Sequence, residues 1–411
     1  MKEPILVRIF VIVLCLLPLA AKGQYLPLLN TTDGGALSLN IDRVWRYNLY
    51  EGSRWGAGLQ WQQALGERHR LTADGFVGYG LRDQKTKWGL RVEVDHFRKS
   101  QPHEPMLVRR DKRTVRLEIA YDLRPAASRI MEEQSLRHID NYTTIMTSRM
   151  SHVERTELQL RWVRQKWSLS TGLRVSFEQR LYDGAGLRYP DSYYSTRRTT
   201  LYNYTEWLLG FATAGLTVNA TAGATNDNYA CTPDLYLRLL AQYAHRHILG
   251  PLYADTYVQT GWCDGTDHDV PYSRMFDLGG TAGAPYYFSR TLLSAKPNEF
   301  TSNLFVFASL SIGADKPLFD VWNKLLSIGS HPRPFAGVNA AWGKLWRQDS
   351  EGWRTTQGLR LQAPHHGVAE VNVGIDGLLH WGLTDWGVAA ACRLWPEIGK
   401  PVWLFTASLA L

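Results

Sequence analysis

The pattern of apolar and polar positions is clearest in the last ten residues, 402–411. Apolar side chains occupy every second position there, namely Trp403, Phe405, Ala407, Leu409 and Leu411. Because a strand points alternate side chains to opposite faces, this segment has one fully apolar face. The pattern predicts the closing strand of a transmembrane β-barrel, with its apolar face toward lipid. The edge strand of a soluble sandwich is the alternative.

The same period of two recurs along the chain, most clearly in 87–98, 113–124, 167–178 and 369–379. Charged and polar residues such as Glu118, Glu370 and Asn372 occupy the positions between the apolar ones. A sandwich would bury the apolar face, whereas a barrel turns it to lipid and lines its interior with the polar face. The numerous Trp and Tyr residues near the strand ends favour the barrel, because such aromatic residues form girdles at membrane interfaces.

We predict an all-β fold, a transmembrane antiparallel β-barrel of about sixteen strands. The predicted strands are 36–50, 55–65, 70–81, 87–98, 113–124, 153–165, 167–181, 198–211, 214–224, 235–246, 252–262, 302–314, 333–346, 366–379, 385–395 and 401–411. An even number of strands places both termini on one side, the periplasmic side. Long connections such as 124–152, 182–197 and 263–301 are then extracellular loops. The periplasmic link 315–332 is predicted to be either a short amphipathic helix or a packed turn.

The N-terminal residues have the pattern of a secretory leader. Lys2 and Arg8 are basic, residues 9–21 are apolar, and Ala21-Lys22-Gly23 is a small-x-small cleavage site. We therefore predict a signal peptide over 1–23, a short periplasmic segment over 24–35 and an outer-membrane barrel over 36–411. No later stretch reaches the ~18 apolar residues of a spanning helix. A membrane protein of this sequence is then a barrel, since backbone groups in lipid need internal partners.

The formal net charge is +8, and the basic residues are spread along the chain. They are not interleaved with aromatic residues in the way that nucleic-acid-binding segments are, so we expect no nucleic-acid partner. Two interpretations of the charge stay open. The basic surface faces the phosphates of outer-membrane lipid and lipopolysaccharide, or it is scattered solvated charge.

Two stretches carry a family resemblance. The first comprises residues 46–58 and 78–83, and the second is Phe276-Asp277-Leu278-Gly279-Gly280 with Pro285, Tyr286, Tyr287, Phe288, Asn298, Glu299 and Phe300. Together they resemble the barrel part of an uncharacterised family of Gram-negative outer-membrane proteins. Its members usually carry an N-terminal carboxypeptidase-regulatory-like domain. That family is similar in turn to the surface-antigen superfamily of BamA, TamA and two-partner secretion pores.

The resemblance implies that the long loop before the twelfth strand folds back into the barrel. It assigns a lumen-loop motif to Phe276, Leu278, Gly279, Gly280, Pro285 and Tyr286. The loop tip of the superfamily carries an Arg-Gly-aromatic sequence, whereas residues 283–286 here contain no arginine. Residues 263–301 are in any case too long for a simple turn. An exposed Ω-like loop is the alternative to the inward fold.

Candidate chemistry is sparse. The sequence contains no Gly-x-Ser-x-Gly elbow, no HExxH and no CxxC. We therefore expect no catalytic residues, no metal and no cofactor. Asp264, Asp267, His268 and Asp269 form either an oxygen-ligand cation site or a solvated acidic loop. His365 and His366 follow Pro364 and are predicted to form a turn or an interfacial pair.

Cys231 and Cys263 form a candidate disulfide. Cys231 precedes the tenth predicted strand and Cys263 follows the eleventh, so the hairpin brings both to the extracellular end in an oxidising compartment. Two unpaired thiols are the alternative. Cys15 leaves with the leader, and Cys392 lies in the lipid-facing register and is interpreted as a small apolar residue.

Three hypotheses for function follow. The first is a non-enzymatic barrel module that assembles or translocates macromolecules at the outer membrane of a Gram-negative bacterium, together with periplasmic partners. Segment 24–35 leaves no space for periplasmic domains, so we expect such partners to act in trans. The second hypothesis is a diffusion pore or substrate channel. The third is an outer-membrane enzyme, which requires a His converging with a Ser or Asp at the barrel rim.

Overall fold

We describe a computed structural model of the chain. It describes residues 25–31, 34–48, 51–98, 111–125, 127–129, 150–180, 200–227, 234–266, 270, 272–280, 287, 290–296, 299–314, 332–346, 362–381 and 384–409. The predicted signal peptide and the predicted amphipathic helix or turn at 315–332 lie outside these residues, except for residue 332.

Nearly all regular structure in the described residues is antiparallel β-strand. The strands are β1 (Tyr25–Asn30), β2 (Gly35–Asn40), β3 (Trp45–Asn48), β4 (Gly52–Ala64), β5 (His69–Gly80), β6 (Thr86–Phe97), β7 (Lys112–Pro125), β8 (Met150–Val163), β9 (Trp167–Arg180), β10 (Thr200–Thr213), β11 (Leu216–Asp227), β12 (Asp234–Leu249), β13 (Leu252–Gly265), β14 (Phe276–Asp277), β15 (Thr301–Ser302), β16 (Leu304–Ala314), β17 (Arg333–Lys344), β18 (Val368–Trp381), β19 (Thr384–Trp395) and β20 (Val402–Leu409). Among these residues, no helix has the length and apolar character needed to cross a membrane.

The large sheet contains the sixteen predicted strands. β2 and β3 are two halves of the first one, because both pair with β4, at Leu39↔Leu59 and at Trp45↔Trp55. A 3-10 turn over Ile41–Arg43 separates the two halves. From β4 onward each strand pairs with the next, β13 pairs with β16 across the long loop, and the order ends at β20. The prediction of a barrel of about sixteen strands is confirmed.

β1 is an addition that alternation did not predict. Residues 25–30 lie in the predicted periplasmic segment 24–35, yet they pair with β2 from Tyr25↔Asn40 to Asn30↔Ala36, with a register shift between Pro27 and Leu29. The hydroxyl of Tyr25 donates a 2.6 Å hydrogen bond to Asp74 of β5. Residues 25–30 and Gly35 of that predicted segment are therefore part of the β-sheet.

The two faces of the sheet have the inverted polarity of a membrane barrel. Large apolar side chains on alternate positions are exposed outward, and Leu173 of β9, for example, is 60% exposed. The positions between them point inward and bury polar groups, among them Glu118, Glu157, Glu206, Gln259 and Glu370. Because apolar groups cover the outside and polar groups the inside, the wall suits a lipid surround and a polar interior.

The two ends of the barrel differ in the length of the connections between strands. We call the end with the loops 126–149, 181–199 and 266–303 the loop end, and the opposite end the turn end. The β12–β13 hairpin turns at the turn end through Gly250, which has φ +68° and so suits glycine. At the same end Asp111 accepts hydrogen bonds from Arg164, at 2.8 Å, and from the amide of Gln165, and the bond from Arg164 lowers the pKa of Asp111.

Candidate functional site

The described residues of the long loop between β13 and β16 lie in the interior of the barrel. We call residues 266–303 the inserted loop. Within it β14 pairs with β15, with Phe276 opposite Ser302. Its described residues contact inward-facing side chains of strands that lie far apart in the sheet, from β9 to β20. A single loop reaches both sets only if the sheet curls around it, and this confirms the predicted inward fold.

The Phe-x-Leu-Gly-Gly motif packs the inserted loop against the wall. The ring of Phe276 is fully buried and lies 4.9 Å from the ring of Phe305 on β16, measured between centroids. The guanidinium of Arg238 on β12 covers the Phe276 ring at 4.5 Å from its centroid. The carboxylate of Asp277 accepts the amide of Gly279 at 2.7 Å, which closes a tight turn. The motif therefore has a packing role at the wall.

Gly280 allows two arms of the inserted loop to touch. Its amide donates to the carbonyl of Lys296 at 3.0 Å, and a Cβ built on it would overlap the carbonyl oxygen of Leu292. Only glycine fits such a close backbone approach without a shift. The resemblance marked this position, and the structure supplies the physical reason.

Arg274 fastens the first arm of the inserted loop to the wall. Its Nε donates to Glu206 of β10 at 2.8 Å and to the hydroxyl of Tyr236 at 3.2 Å. Its Nη1 lies 3.4 Å from Glu178 of β9, and its guanidinium stacks 3.8 Å from the centre of the Tyr204 ring. Because both carboxylates are buried, these charge-assisted bonds are stronger than surface ion pairs.

Glu370 fastens the second arm to the other part of the wall. This carboxylate on β18 is fully buried and accepts the amides of Leu293 at 2.7 Å and Ser294 at 2.8 Å. Asn339 of β17 donates to the same carboxylate at 2.8 Å and to the carbonyl of Thr291 at 3.0 Å. A buried carboxylate surrounded by donors is satisfied without a counter-ion.

Two further contacts hold the second arm. Arg393 of β19 forms an ion pair with Glu299 at 3.1 Å and also donates to the carbonyl of Ser294. The amide of Tyr287 donates to the carbonyl of Phe405 on β20, at 2.8 Å, and its hydroxyl reaches Asn372 at 3.3 Å. The inserted loop is thus tied to β17, β18, β19 and β20.

A second segment, residues 127–129 after β7, also lies inside the barrel. The backbone of Ala127 bonds to Ser273 and to Asp277 of the inserted loop, at 3.1 and 2.6 Å. Arg129 exchanges hydrogen bonds with Gln259 of β13 at 2.9 and 2.6 Å. Two separate loops therefore support each other in the interior.

An apolar core forms where the inserted loop packs against β12, β13 and β16. Its buried members include Tyr204, Tyr236, Leu240, Tyr257, Cys263, Val270, Met275, Phe276, Leu278, Leu292, Phe300, Phe305 and Phe307. A smaller cluster joins Leu293 of the loop to Ala389, Ala391 and Leu404 of the wall. Burial of this apolar area stabilises the docked loop in the way a soluble core is stabilised.

The remaining predicted site residues fall in three groups. Pro285, Tyr286 and Cys231 lie outside the described residues, so the loop tip and the Cys231–Cys263 bridge stay predictions. Cys263 itself lies within β13, not after it, because that strand extends to Gly265, and its side chain is fully buried in the apolar core. Asp264 also belongs to β13, and Asp267, His268 and Asp269 lie outside the described residues.

The pair His365–His366 forms the predicted turn at the loop end. The indole of Trp342 donates to the carbonyl of His365 at 3.1 Å, and that of Trp395 to the carbonyl of His366 at 2.8 Å. Both tryptophans are exposed on the outward face. This is the position of an aromatic girdle, where the ring meets lipid and the N–H finds a polar partner.

One histidine meets an aspartate near the loop end. Nε2 of His152 lies 3.4 Å from Asp83, but both side chains are buried, and Lys87 also binds this carboxylate. His152 stacks on Tyr121 with their ring centroids 5.6 Å apart. The pair is part of a packed charge network that includes Glu51, and it has the environment of a structural group.

The main anchors of the inserted loop, Arg274, Glu206 and Arg393, were not singled out by sequence analysis. Glu370 was noted only as a polar position in an alternating strand. Each anchor residue on a strand is charged and occupies an inward-facing position. That pattern was the sequence signal that could have indicated a role inside the barrel. Nothing in the alternation says which of many such charges meets the loop.

No protein-family model matches the chain, and no curated protein sequence matches it. Solved structures with a similar fold include BamA from Haemophilus ducreyi lacking POTRA domains 1–3, at 12% identity and a TM-score of 0.47, covering 93% of this chain and 74% of that one. CdiB from Acinetobacter baumannii is 8% identical with a TM-score of 0.41, covering 92% and 58%. CdiB from Escherichia coli is 10% identical with a TM-score of 0.42, covering 93% and 64%. The chain thus spans under two thirds of either CdiB chain.

Proposed function

We propose that this protein is a non-enzymatic outer-membrane barrel that serves as a module for assembling or translocating macromolecules, together with periplasmic partners. The observation that carries the proposal is the inserted loop, which is fastened at one arm by Arg274 and at the other by Glu370. A general diffusion pore needs a wet path through its interior, and a loop docked on an apolar core obstructs that path.

The family resemblance supplies the class of activity. The Phe276–Gly280 motif resembles that of barrels whose inserted loop belongs to the assembly and secretion machinery. In this chain the motif packs the loop against the wall, with a buried Phe276 and a close approach at Gly280, and this packing supports the proposal. The exposed apolar band on the outward face supports a lipid location for the wall.

Conductance in planar lipid bilayers tests the proposal against the pore alternative. We expect the purified intact protein to give little or no steady current. Deletion of 270–295 removes both arms of the inserted loop and is expected to produce a large, steady channel. A large steady conductance from the intact protein would contradict the proposal and favour a diffusion pore.

Depletion in the native bacterium tests the assembly role itself. We expect depletion to lower the amount of at least one other outer-membrane or secreted protein, as measured by quantitative mass spectrometry of the outer-membrane and culture fractions. Wild-type protein supplied from a plasmid should restore the level. If the protein composition of both fractions stays unchanged, the assembly or translocation role is wrong.

A further inference from the structure

The inserted loop leaves a cavity of about 190 Å³ on the side of the barrel formed by β7 to β12. The inward faces of these strands form the wall of the cavity, and Ser273 and Arg274 of the loop close it from the opposite side. Ser170 and Gly210 line the wall with very small side chains, which leaves space in front of them. The cavity is therefore enclosed jointly by the barrel wall and the inserted loop.

Most of the charged residues that line the cavity are arginines. Five arginines line the cavity, namely Arg124, Arg155, Arg174, Arg238 and Arg274, against two glutamates, Glu178 and Glu206. Glu118 forms ion pairs with Arg155 of the lining and with Arg91 outside it. Glu157 likewise pairs with Arg174 of the lining and with Arg116 outside it. Within the described part of the wall and loop, the lining itself thus has five arginines and two carboxylates, an excess of three positive charges.

Three of these carboxylates, Glu118, Glu157 and Glu206, each serve more than one guanidinium. Glu118 pairs with Arg91 and Arg155, and Glu206 pairs with Arg274 at 2.8 Å and with Arg174 at 3.5 Å. The side chains of Arg155 and Arg174 are only 8% and 11% exposed. Nε of Arg155 is buried without a hydrogen-bond partner among the described residues. Concentrated positive charge with little access to water favours the binding of an anion.

Arg124 is the arginine best placed to meet a ligand. Its side chain is 35% exposed, against 8% for Arg155, 11% for Arg174 and 16% for Arg274. It stands near the loop end of β7, where the cavity begins. A guanidinium presents its N–H groups in a planar fork that matches the oxygens of a phosphate or sulfate group.

We infer that this cavity binds a small oxyanion of the phosphate type, with Arg124 as a direct ligand. The volume lies below the ~300–1,000 Å³ of sites for drug-sized molecules, which limits the ligand to a free ion or a small phosphate monoester. The site is separate from the loop anchors at Glu370 and Arg393, and the inference does not depend on the proposed function.

Isothermal titration calorimetry on the full-length barrel in detergent micelles tests the inference, with chloride at equal ionic strength as the reference. We expect saturable binding of inorganic phosphate. Arg124→Gln should weaken the affinity about tenfold or more, because a hydrogen bond between charged groups is lost. Leu208→Trp keeps every charge but fills the cavity from β10, and it should weaken binding as well.

Arg246→Gln is the matched control, because Arg246 pairs with Asp255 on the exposed turn end. It should bind phosphate like the wild type. Binding of glycerol 3-phosphate as well as phosphate would identify a phosphoryl group on a larger molecule, and binding of phosphate alone would identify the free ion. The inference is wrong if phosphate behaves like chloride, or if Leu208→Trp and Arg124→Gln both fold and bind unchanged.

Discussion

Ser294 is held twice by Glu370, since its amide and its hydroxyl donate to the same carboxylate oxygen at 2.8 and 2.6 Å. The other carboxylate oxygen accepts the amide of Leu293 at 2.7 Å. One buried side chain of the wall therefore fixes the backbone of two consecutive loop residues. This makes Glu370 the residue whose removal most directly releases the second arm of the inserted loop.

Glu370→Gln should loosen that arm. The substitution replaces a carboxylate oxygen by an NH2 group that faces N–H donors, and hydrogen bonds to a charged group contribute about 1.5–3 kcal/mol each. We expect a lower thermal unfolding temperature and new protease cleavage between 281 and 296 in detergent-solubilised protein. Glu397→Gln, at an exposed position in the link before β20, is the control. Equal stability and equal protease resistance of the two variants would contradict the anchoring role.

A charge on the outward face should block membrane insertion. Leu173 is 60% exposed near the middle of β9 and pairs with Leu158 and Trp207 on the same face. Leu173→Arg is expected to cost about 2–4 kcal/mol at mid-bilayer depth. Gln159→Arg points into the cavity at a similar height and should insert. Folding into liposomes, followed by the heat-modifiable shift on gels, measures both. Similar yields for both variants would show that the two faces are assigned wrongly.

Gly280→Ala should separate the two arms of the inserted loop. The added methyl would overlap the carbonyl of Leu292, and overpacking of this kind costs about 1–3 kcal/mol. Gly75→Ala in β5 is the control, because the nearest atoms to its Cβ lie at 3.7 Å. We expect a lower unfolding temperature for the first variant only, measured by near-UV circular dichroism. A wild-type melting curve for Gly280→Ala would rule out the close approach.

The candidate disulfide has a direct chemical test. Cys263 is fully buried in the apolar core, so in the folded protein we expect it to resist maleimide whether or not it is bridged to Cys231. Alkylation of the unreduced, denatured mature protein distinguishes the two cases. One labelled thiol, Cys392, is expected if the bridge forms. Three labelled thiols, counted by mass spectrometry, would mean that Cys231 and Cys263 are unpaired.

Alternation was enough to predict the wall of the barrel. A period of two depends only on which residues are apolar, and the sheet repeats it from residue to residue in long strands such as β9. It also placed Glu370 and Asn372 on the inward face. Strand β1 was missed because residues 25–30 contain five apolar or weakly polar residues in a row, without the alternation of a wall strand.

The interior could not be predicted in the same way. Contacts such as Arg274 with Glu206 join residues that are 68 positions apart, and no local pattern encodes them. Alternation alone would also treat Asn372 as a solvated position that tolerates a large side chain. The structure instead buries Asn372, with the hydroxyl of Tyr287 against it. The path of the inserted loop determines whether an inward-facing residue is hydrated or packed against protein.

The two anchors of the inserted loop connect strands that precede it to strands that follow it. Arg274 is held by β9 and β10, which come before the loop in the chain, whereas Glu370 and Arg393 belong to strands that come after it. The contacts span similar separations, 68 positions from Arg274 to Glu206 and 76 from Ser294 to Glu370, so we expect both arms to dock in the same step. Pulsed hydrogen exchange during refolding would then record protection at 272–278 and at 292–296 together. The loop therefore couples the earlier strands of the wall to the later ones, and loss of either anchor is expected to loosen both.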